Sequence, residues 1–226
     1  KRKSLNVQKL KSSLIDNKKF INIYSKFIKV IDRNKIKNSF VVAVSGGPDS
    51  LALAGLSKFF AIKKKVKVYF VLVDHRIRKN STKEALNVKK LLRENDIKLD
   101  ILKNTKKISK NIQKNARDIR YNLLATYCVK KRTKYLLTAH HQDDQIETFF
   151  IRLSRGSGIE GLSSMSEKTK IINGINLIRP FLNLAKNDLI FVAKSIFGMI
   201  FKDPTNKNKK FLRTNIRNLK TILQKK

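Results

Sequence analysis

The 226 residues carry 52 Lys and Arg against 16 Asp and Glu, a formal net charge of +36, on a hydrophobic fraction of 41%. Apolar residues spread along the whole length support one generous domain with a real core and argue against intrinsic disorder. No apolar run approaches the roughly 18–20 residues of a membrane span, the basic N-terminus lacks the apolar stretch of a secretory signal, and the single cysteine, Cys128, excludes a disulfide, a CxxC zinc site or an iron–sulfur cluster.

In chain order, Phe20, Ile23, Tyr24, Phe27, Ile28 and Ile31 form a helical stripe over residues 18 to 33. The run Phe40-Val41-Val42-Ala43-Val44, ending in Ser-Gly-Gly, predicts a buried strand, and Leu51 to Ile62 resumes helical spacing. Val66 to Val73 predicts a second strand, Thr82 to Asn95 a helix, and Ile97 to Leu102 a third strand. Asn111 to Lys131 predicts a long helix, with Cys128 as a small core residue inside it. A strand over Lys134 to Thr138 and a helix from about Asp143 to Leu153 follow. Beyond Arg155 the pattern loosens: Gly156, Gly158 and Gly161 mark a loop, and Lys170 to Ile178 around Asn173-Gly174 predicts a hairpin. Asp188 to Phe197 and Phe211 to Leu223 are helix candidates on either side of the turn-rich Asp203-Pro204-Thr205-Asn206.

Strands alternating with helices of 10–20 residues indicate an α/β fold with a parallel sheet, here five-stranded, and helices on both faces. Ligands in such sheets bind beyond the C-terminal ends of the strands. Three polar clusters fall there: Ser45 to Ser50, Asp74-His75-Arg76, and His140 to Glu147. The expected organisation is a helical N-terminal segment over residues 1–37, the main domain over 38–165, and a hairpin with a small helical C-terminal extension of the same domain over 166–226.

Ser45-Gly46-Gly47-Pro48-Asp49-Ser50 joins a buried strand to a helix. Small residues there let backbone N–H groups approach a phosphate, and the helix N-terminus adds a favourable dipole. Ser45 and Ser50 can donate hydroxyl hydrogen bonds, and Asp49 suits a phosphate site only with an intervening cation, which points to Mg²⁺. The bland alternative is a tight strand–helix turn with Asp49 or Ser50 as cap. Neither GxxxxGK[ST] nor GxGxxG is present, so this is neither a Walker P-loop nor a dinucleotide fingerprint.

The string SGGPDS resembles the signature of the PP-loop ATP pyrophosphatases, a Rossmann-like fold. The resemblance implies ATP cleaved between the α and β phosphates, an adenylated substrate and released pyrophosphate. Val73-Asp74-His75-Arg76-Ile77-Arg78 with Ser81 and Glu84-Ala85 resembles the VDHGLR…S..EA element of the tRNA(Ile)-lysidine synthetase family, with Arg76 where Gly is usual. Asn115 to Tyr121 resembles its ARxxRY element, and His140 to Thr148 its HHxDDQxET element. Arg155 to Met165 is similar to RGSGxxGLxxM, and Arg179-Pro180-Phe181-Leu182 and Asp203 to Arg213 to later elements. That likeness implies a cytoplasmic ligase. It would join L-lysine to C2 of the cytidine at the first anticodon position of tRNA(Ile) with a CAU anticodon, using ATP and Mg²⁺. A thiolating PP-loop tRNA enzyme and a non-catalytic RNA-binding member are the alternatives.

The resemblance implies catalytic roles for Asp49, His140, Asp144, Glu147 and Arg117, and nucleotide contacts for Ser45, Gly46, Gly47, Pro48, Asp49, Ser50, Asp74, His75, Arg120 and Arg155. His140, Asp144 and Glu147 are spaced i, i+4, i+7, one face of a helix that begins at a strand end. Its carboxylates can hold an ammonium or a metal, or take a proton from an attacking amine, and Asp143 is a candidate cap. Arg117 and Arg120 can fork onto phosphate, although solvated helix arginines are the default in so basic a chain. The Phe residues at helical spacing are expected in the core rather than as base-stacking platforms.

The +36 charge indicates a polyanionic partner, even though 39 Lys and 20 Asn are also what an AT-rich genome inflates. No membrane partner is expected, and a homodimer is held open. The chain starts at Lys1 and stops at Lys226, whereas many members of the family continue into domains that grip tRNA. A minimal or a truncated enzyme is expected, with the Lys-rich surface supplying RNA affinity.

Overall fold

The computed structural model describes residues 14, 16–77, 80–105, 111–158, 162–201 and 216. Arg78, residues 159–161 of the glycine loop, the 203–206 turn and nearly all of the 211–223 helix candidate lie outside them.

Helix α1 (Lys18–Arg33) starts at Asn17, whose side chain accepts from the Phe20 N–H. Its stripe, Phe20, Ile23, Phe27, Val30 and Ile31, is buried. Strand β1 (Ser39–Ala43) leads through the glycine loop into helix α2 (Pro48–Lys64), which opens with Pro at its first position. Then come β2 (Lys67–Asp74), α3 (Ser81–Arg93), β3 (Leu99–Lys103), α4 (Ile112–Lys130), β4 (Tyr135–Leu137) and α5 (Gln142–Leu153). The hairpin of β5 (Lys168–Lys170) and β6 (Asn176–Ile178) turns through Asn173 and Gly174 at φ 59° and 67°. Those left-handed dihedrals are what an Asn-Gly hairpin provides. Helix α6 (Lys186–Phe197) follows.

The sheet runs β3-β2-β1-β4-β6-β5. All pairs are parallel except β5 with β6. The sheet has six strands rather than the expected five. The hairpin does not sit apart: β6 enters the parallel set beside β4, and only β5 is an antiparallel edge.

Both faces are covered, so the inner strands are apolar throughout instead of alternating with polar residues. Phe40, Val42, Phe70 and Leu72 join the core with α1, α2, α3 and α6, while Val41, Val71, Leu136 and Leu177 pack with Leu124, Ala125 and Cys128 of α4. Helix α2 lies against α6 closely enough that a Cβ on Gly55 would fall 2.4 Å from Ile196 Cδ1.

The chain winds outward from β1 through β2 to β3, then returns to the other side of β1 as β4. Strand order therefore reverses between β1 and β4, which opens a crevice between their C-terminal ends. The glycine loop leaves β1, and α5 leaves β4, so both enter that crevice.

Candidate active site

Gly46 adopts φ +91°, a conformation that L side chains rarely tolerate. A Cβ there would also meet Val88 Cγ2 of α3 at 2.6 Å. The loop is held by the buried Ser50: its Oγ accepts from the N–H of Ser45 and of Gly46, each at 3.1 Å, and from the Ser45 hydroxyl at 3.1 Å, and donates to Gly47 O at 2.9 Å. Ser50 thus points inward as the loop's organiser, whereas the sequence left its hydroxyl available for phosphate. Gly47 is the N-cap of α2 with no side-chain cap hydrogen bond, so the first-turn amides lack both an intrahelical and a side-chain acceptor.

Asp49 sits in that first turn. Its Oδ1 is shielded from solvent and has no hydrogen-bond partner, and its Oδ2 lies 3.6 Å from His141 Nε2. His141 is 3% exposed. It is the N-cap of α5: its Nδ1 accepts from the Asp143 N–H at 3.2 Å, and its own N–H donates to Asp144 Oδ2 at 3.0 Å, completing a capping box. Its Nε2 is also 3.6 Å from Asp144 Oδ2. Burial alone would depress the imidazole, but the nearby carboxylates of Asp49, Asp144 and Asp143 outweigh it and raise the pKa above its ordinary value.

The structure departs from two sequence expectations. Helix α5 begins at Gln142, so His140 precedes it and does not share a helical face with Asp144 and Glu147; its Nδ1 instead lies 3.0 Å from Thr138 Oγ1. The cap is His141, not Asp143. The residue that joins the phosphate loop to the acidic turn is therefore His141, which the sequence reading passed over. The connector pairs with the segment that follows β6, where His141 bridges Phe181 and Gln142 N–H donates to Leu184 O, and His141 is the buried histidine of the two. Glu147 is the buried residue of α5.

The second cluster lies past β2. Asp74, 2% exposed, accepts from the Arg76 N–H and the Ser81 hydroxyl through Oδ1, and from the Thr82 hydroxyl through Oδ2 at 2.7 Å. Burial pushes its pKa up, but these donors reverse the effect and hold it below the ordinary carboxylate value. Its carboxylate pins the β2–α3 loop, in which Arg76 sits at φ 54°; this explains why Gly is usual there. His75 Nε2 accepts from Arg120 Nε at 3.2 Å, tying β2 to α4. Burial, and then the Arg120 charge, lower the His75 pKa and keep it neutral. Its Nδ1, the protonated nitrogen of that pair, is buried without a partner. Arg117 stacks over Tyr121 at 5.0 Å from the ring centroid. Arg155 follows α5 and is exposed.

Among the described residues no group of three or more His, Cys, Asp or Glu side chains can hold a metal. A shielded, unpartnered Asp49 oxygen fits the different demand of Mg²⁺, which takes one or two carboxylates and completes its shell with water and phosphate. No helix among the described residues is long and apolar enough to cross a membrane.

The family profile described as PP-loop domain matches residues 17–224. The tRNA(Ile)-lysidine synthase of Wolbachia pipientis wMel is 44% identical over 185 residues, covering 80% of this chain and 43% of that protein. That of Orientia tsutsugamushi (strain Boryong) is 41% identical over 181 residues, covering 79% and 40%. The chain thus spans less than half the length of these curated relatives. Among solved structures, the U34-tRNA thiolase NcsA from Methanococcus maripaludis with its [4Fe-4S] cluster superposes with a TM-score of 0.75 at 18% identity, covering 92% of this chain and 74% of that one. At that identity the likeness shows the fold alone.

Proposed function

The chain belongs to the PP-loop domain family, and from that premise we propose that it is an ATP-dependent tRNA-modifying ligase. The reaction is the transfer of L-lysine to C2 of the cytidine at the first anticodon position of tRNA(Ile), with release of AMP and pyrophosphate. The observation that carries this reading is the meeting of Asp49, His141 and Asp144 at the β1–β4 switch point. It sets the glycine loop against an acidic helix turn.

Gly46 and Gly47 allow the backbone to approach the triphosphate, Ser50 keeps the loop amides in register, and the α2 dipole favours the anion. Asp49 would hold Mg²⁺, which when bound offsets charge on the phosphates. His141 orients Asp49 and Asp144 together. The carboxylates of Asp144 and Glu147, on the helix that follows β4, bind the lysine ammonium and draw off the proton that its ε-amine must lose before it attacks the ring carbon. Arg117, Arg120 and Arg155 supply positive charge toward phosphate or RNA. The net charge of +36 supports a polyanionic partner.

A sulfur-transferring alternative needs a nucleophilic thiolate. Cys128, the single cysteine, is buried, and burial pushes its thiol up to about 12, so it remains a protonated core residue at neutral pH. The deciding experiment is mass analysis of tRNA(Ile) after incubation with the protein, ATP, Mg²⁺ and lysine. Lysine-dependent addition to the anticodon cytidine with release of AMP is expected. An unchanged tRNA with no ATP–pyrophosphate exchange would refute catalysis.

A further inference from the structure

Arg179 directly follows β6 and is 7% exposed, the one buried Lys or Arg among the described residues. One side of its guanidinium is occupied: Nη1 donates to Ser166 O at 2.7 Å and to Thr169 Oγ1 at 2.9 Å, which fastens the β5–β6 hairpin. The other side is not, because Nε is shielded from solvent and has no hydrogen-bond partner. An orphaned donor on a buried cation is costly, and such a cation ordinarily sits against a carboxylate. Among the described residues no carboxylate forms an ion pair with Arg179, Arg117 or Arg120.

The surroundings of Arg179 add positive charge instead. Side chains alternate across a strand, so Arg179 falls on the same face as Leu177, which packs with α4. Tyr121 and Arg117 of α4 are the ionisable groups that act on it: burial lowers its pKa, the Tyr121 phenol opposes that, and the Arg117 charge lowers it further. Arg117 itself lies over the Tyr121 ring. Three residues on, Arg120 is held to His75 at the end of β2. The ends of β1 and β4 lie between those of β2 and β6. The three guanidiniums therefore stand along the C-terminal edge of the sheet, across the switch point, on the α4 face. Helix α2, which follows the glycine loop, packs on the other face.

We propose that Arg117 and Arg179 form a second phosphate subsite, on the α4 face of the sheet, with Arg179 Nε as its buried donor. A guanidinium forks onto an oxyanion, and two of them against one group match the double charge of a phosphate rather than the single charge of a carboxylate. The Nη1 bonds to the hairpin hold the Arg179 fork in place. Such a phosphate has two sources with the same chemistry, the polyphosphate of ATP and the backbone of RNA. The inference rests on the ATP-dependent tRNA-modifying reading above, which brings both to this edge of the sheet.

The test is calorimetric titration of the full chain with inorganic pyrophosphate, with ATP and Mg²⁺, and with a synthetic anticodon stem–loop RNA. The unaltered protein is compared with Arg117→Gln, Arg179→Met and Arg179→Lys, and Lys168→Gln on the exposed β5 edge controls for net charge. Arg117→Gln and Arg179→Met are expected to weaken pyrophosphate binding about ten- to a hundred-fold. Arg179→Lys should fall between, since lysine keeps the charge but not the fork, and Lys168→Gln should bind as the unaltered protein does. A matching loss for ATP with RNA unchanged supports the subsite with the nucleotide as its source. A matching loss for RNA, with a salt slope smaller by about one and ATP unchanged, supports it with the RNA backbone as source. Arg117 is exposed, so its replacement leaves the fold intact, and undiminished binding of all three probes by Arg117→Gln overturns the subsite while leaving the proposed function standing. So does a loss confined to Arg179→Met together with a lower melting temperature, which would make Arg179 a hairpin anchor alone. Weakened binding of lysine with all three phosphate probes unchanged also overturns it, by assigning the pair to a carboxylate. If the unaltered protein binds neither ATP nor RNA, the subsite and the proposed function fall together.

Discussion

His141 joins the two halves of the candidate site, and two substitutions separate what it contributes. When neutral, its ring caps α5 by accepting the Asp143 N–H; when protonated, it can no longer accept there, and its charge instead lies 3.6 Å from both Asp49 and Asp144, which raise its pKa. Asn is as good a cap but holds no charge, whereas Ala loses both. The cap is worth about 1 kcal/mol, or roughly 2–4 °C in melting temperature for a chain of this size. His141→Ala is therefore expected to be less stable than His141→Asn by about that amount at every pH. The charge behaves differently. A group with a raised folded pKa stabilises fully below its unfolded value, near 6.5, and loses that contribution as pH rises through the folded pKa. The advantage of the native protein over His141→Asn is thus greatest at pH 6 and shrinks toward pH 9. Urea denaturation of metal-free protein, with chelator present, measures both differences. A His141→Asn difference that stays constant or grows with pH would refute the carboxylate-paired imidazole, and equal stability of the Asn and Ala variants would refute the cap.

Gly46→Ala adds left-handed strain of about 1–2 kcal/mol to a Cβ placed 2.6 Å from Val88 Cγ2. It is expected to lower stability and to weaken ATP binding by calorimetry, and Val88→Ala in the same chain should recover the steric part alone. Asp74→Ala leaves three donors unpaired and is expected to cost about 3 kcal/mol by denaturant titration. Because the folded pKa of Asp74 is depressed, that cost should hold from neutral pH down to about 4 and fade as pH drops through the folded value. Arg76→Gly removes the strain at φ 54° and should raise stability by about 0.5–1 kcal/mol. Arg76→Ala, which keeps the strain, should not; equal gains in both would point to lost charge repulsion instead.

The elements were legible because their signals are local. The apolar run Phe40–Val44 and the stripe from Phe20 to Ile31 need no partner to be read, and each strand end could be located from the polar residues that follow it. Long-range pairing was not legible. Whether β6 inserts beside β4 depends on hydrogen bonds such as Asn176 N–H to Lys134 O, and nothing near Asn173-Gly174 encodes that. A bridge just beyond that pairing, His141 to Phe181, holds His141 inward, so a helical count from His140 chose the wrong neighbour by one residue. Ser50 and Asp74 carry the side chains of ligand-binding residues, yet a loop must also satisfy its own amides, and these two hydroxyl and carboxylate groups are spent there. The partial exposure of Phe149 and Phe150, 38% and 37%, was hidden for a related reason. Helical spacing reports that a stripe exists but not how much of it the core covers.

The surface and the candidate site carry opposite charge. In a chain with only 16 acidic residues against 52 basic ones, Asp49, Asp143, Asp144 and Glu147 gather beside the β1–β4 switch point on α2 and α5. A polyanion is drawn to the surface by the long-range field, while the crevice itself favours a cation, whether Mg²⁺ or a substrate ammonium. The two attractions respond to salt differently. Lysines spread over the surface are screened within about 8 Å at physiological ionic strength, and RNA binding loses counterion release as salt rises. A cation seated among partly buried carboxylates is screened far less. Raising salt from 50 to 200 mM should therefore weaken RNA affinity by orders of magnitude while changing the affinity for lysine only severalfold, measured by titration with ATP and Mg²⁺ present. Parallel losses in both would mean that lysine binds on the exposed surface, outside the crevice that His141 closes.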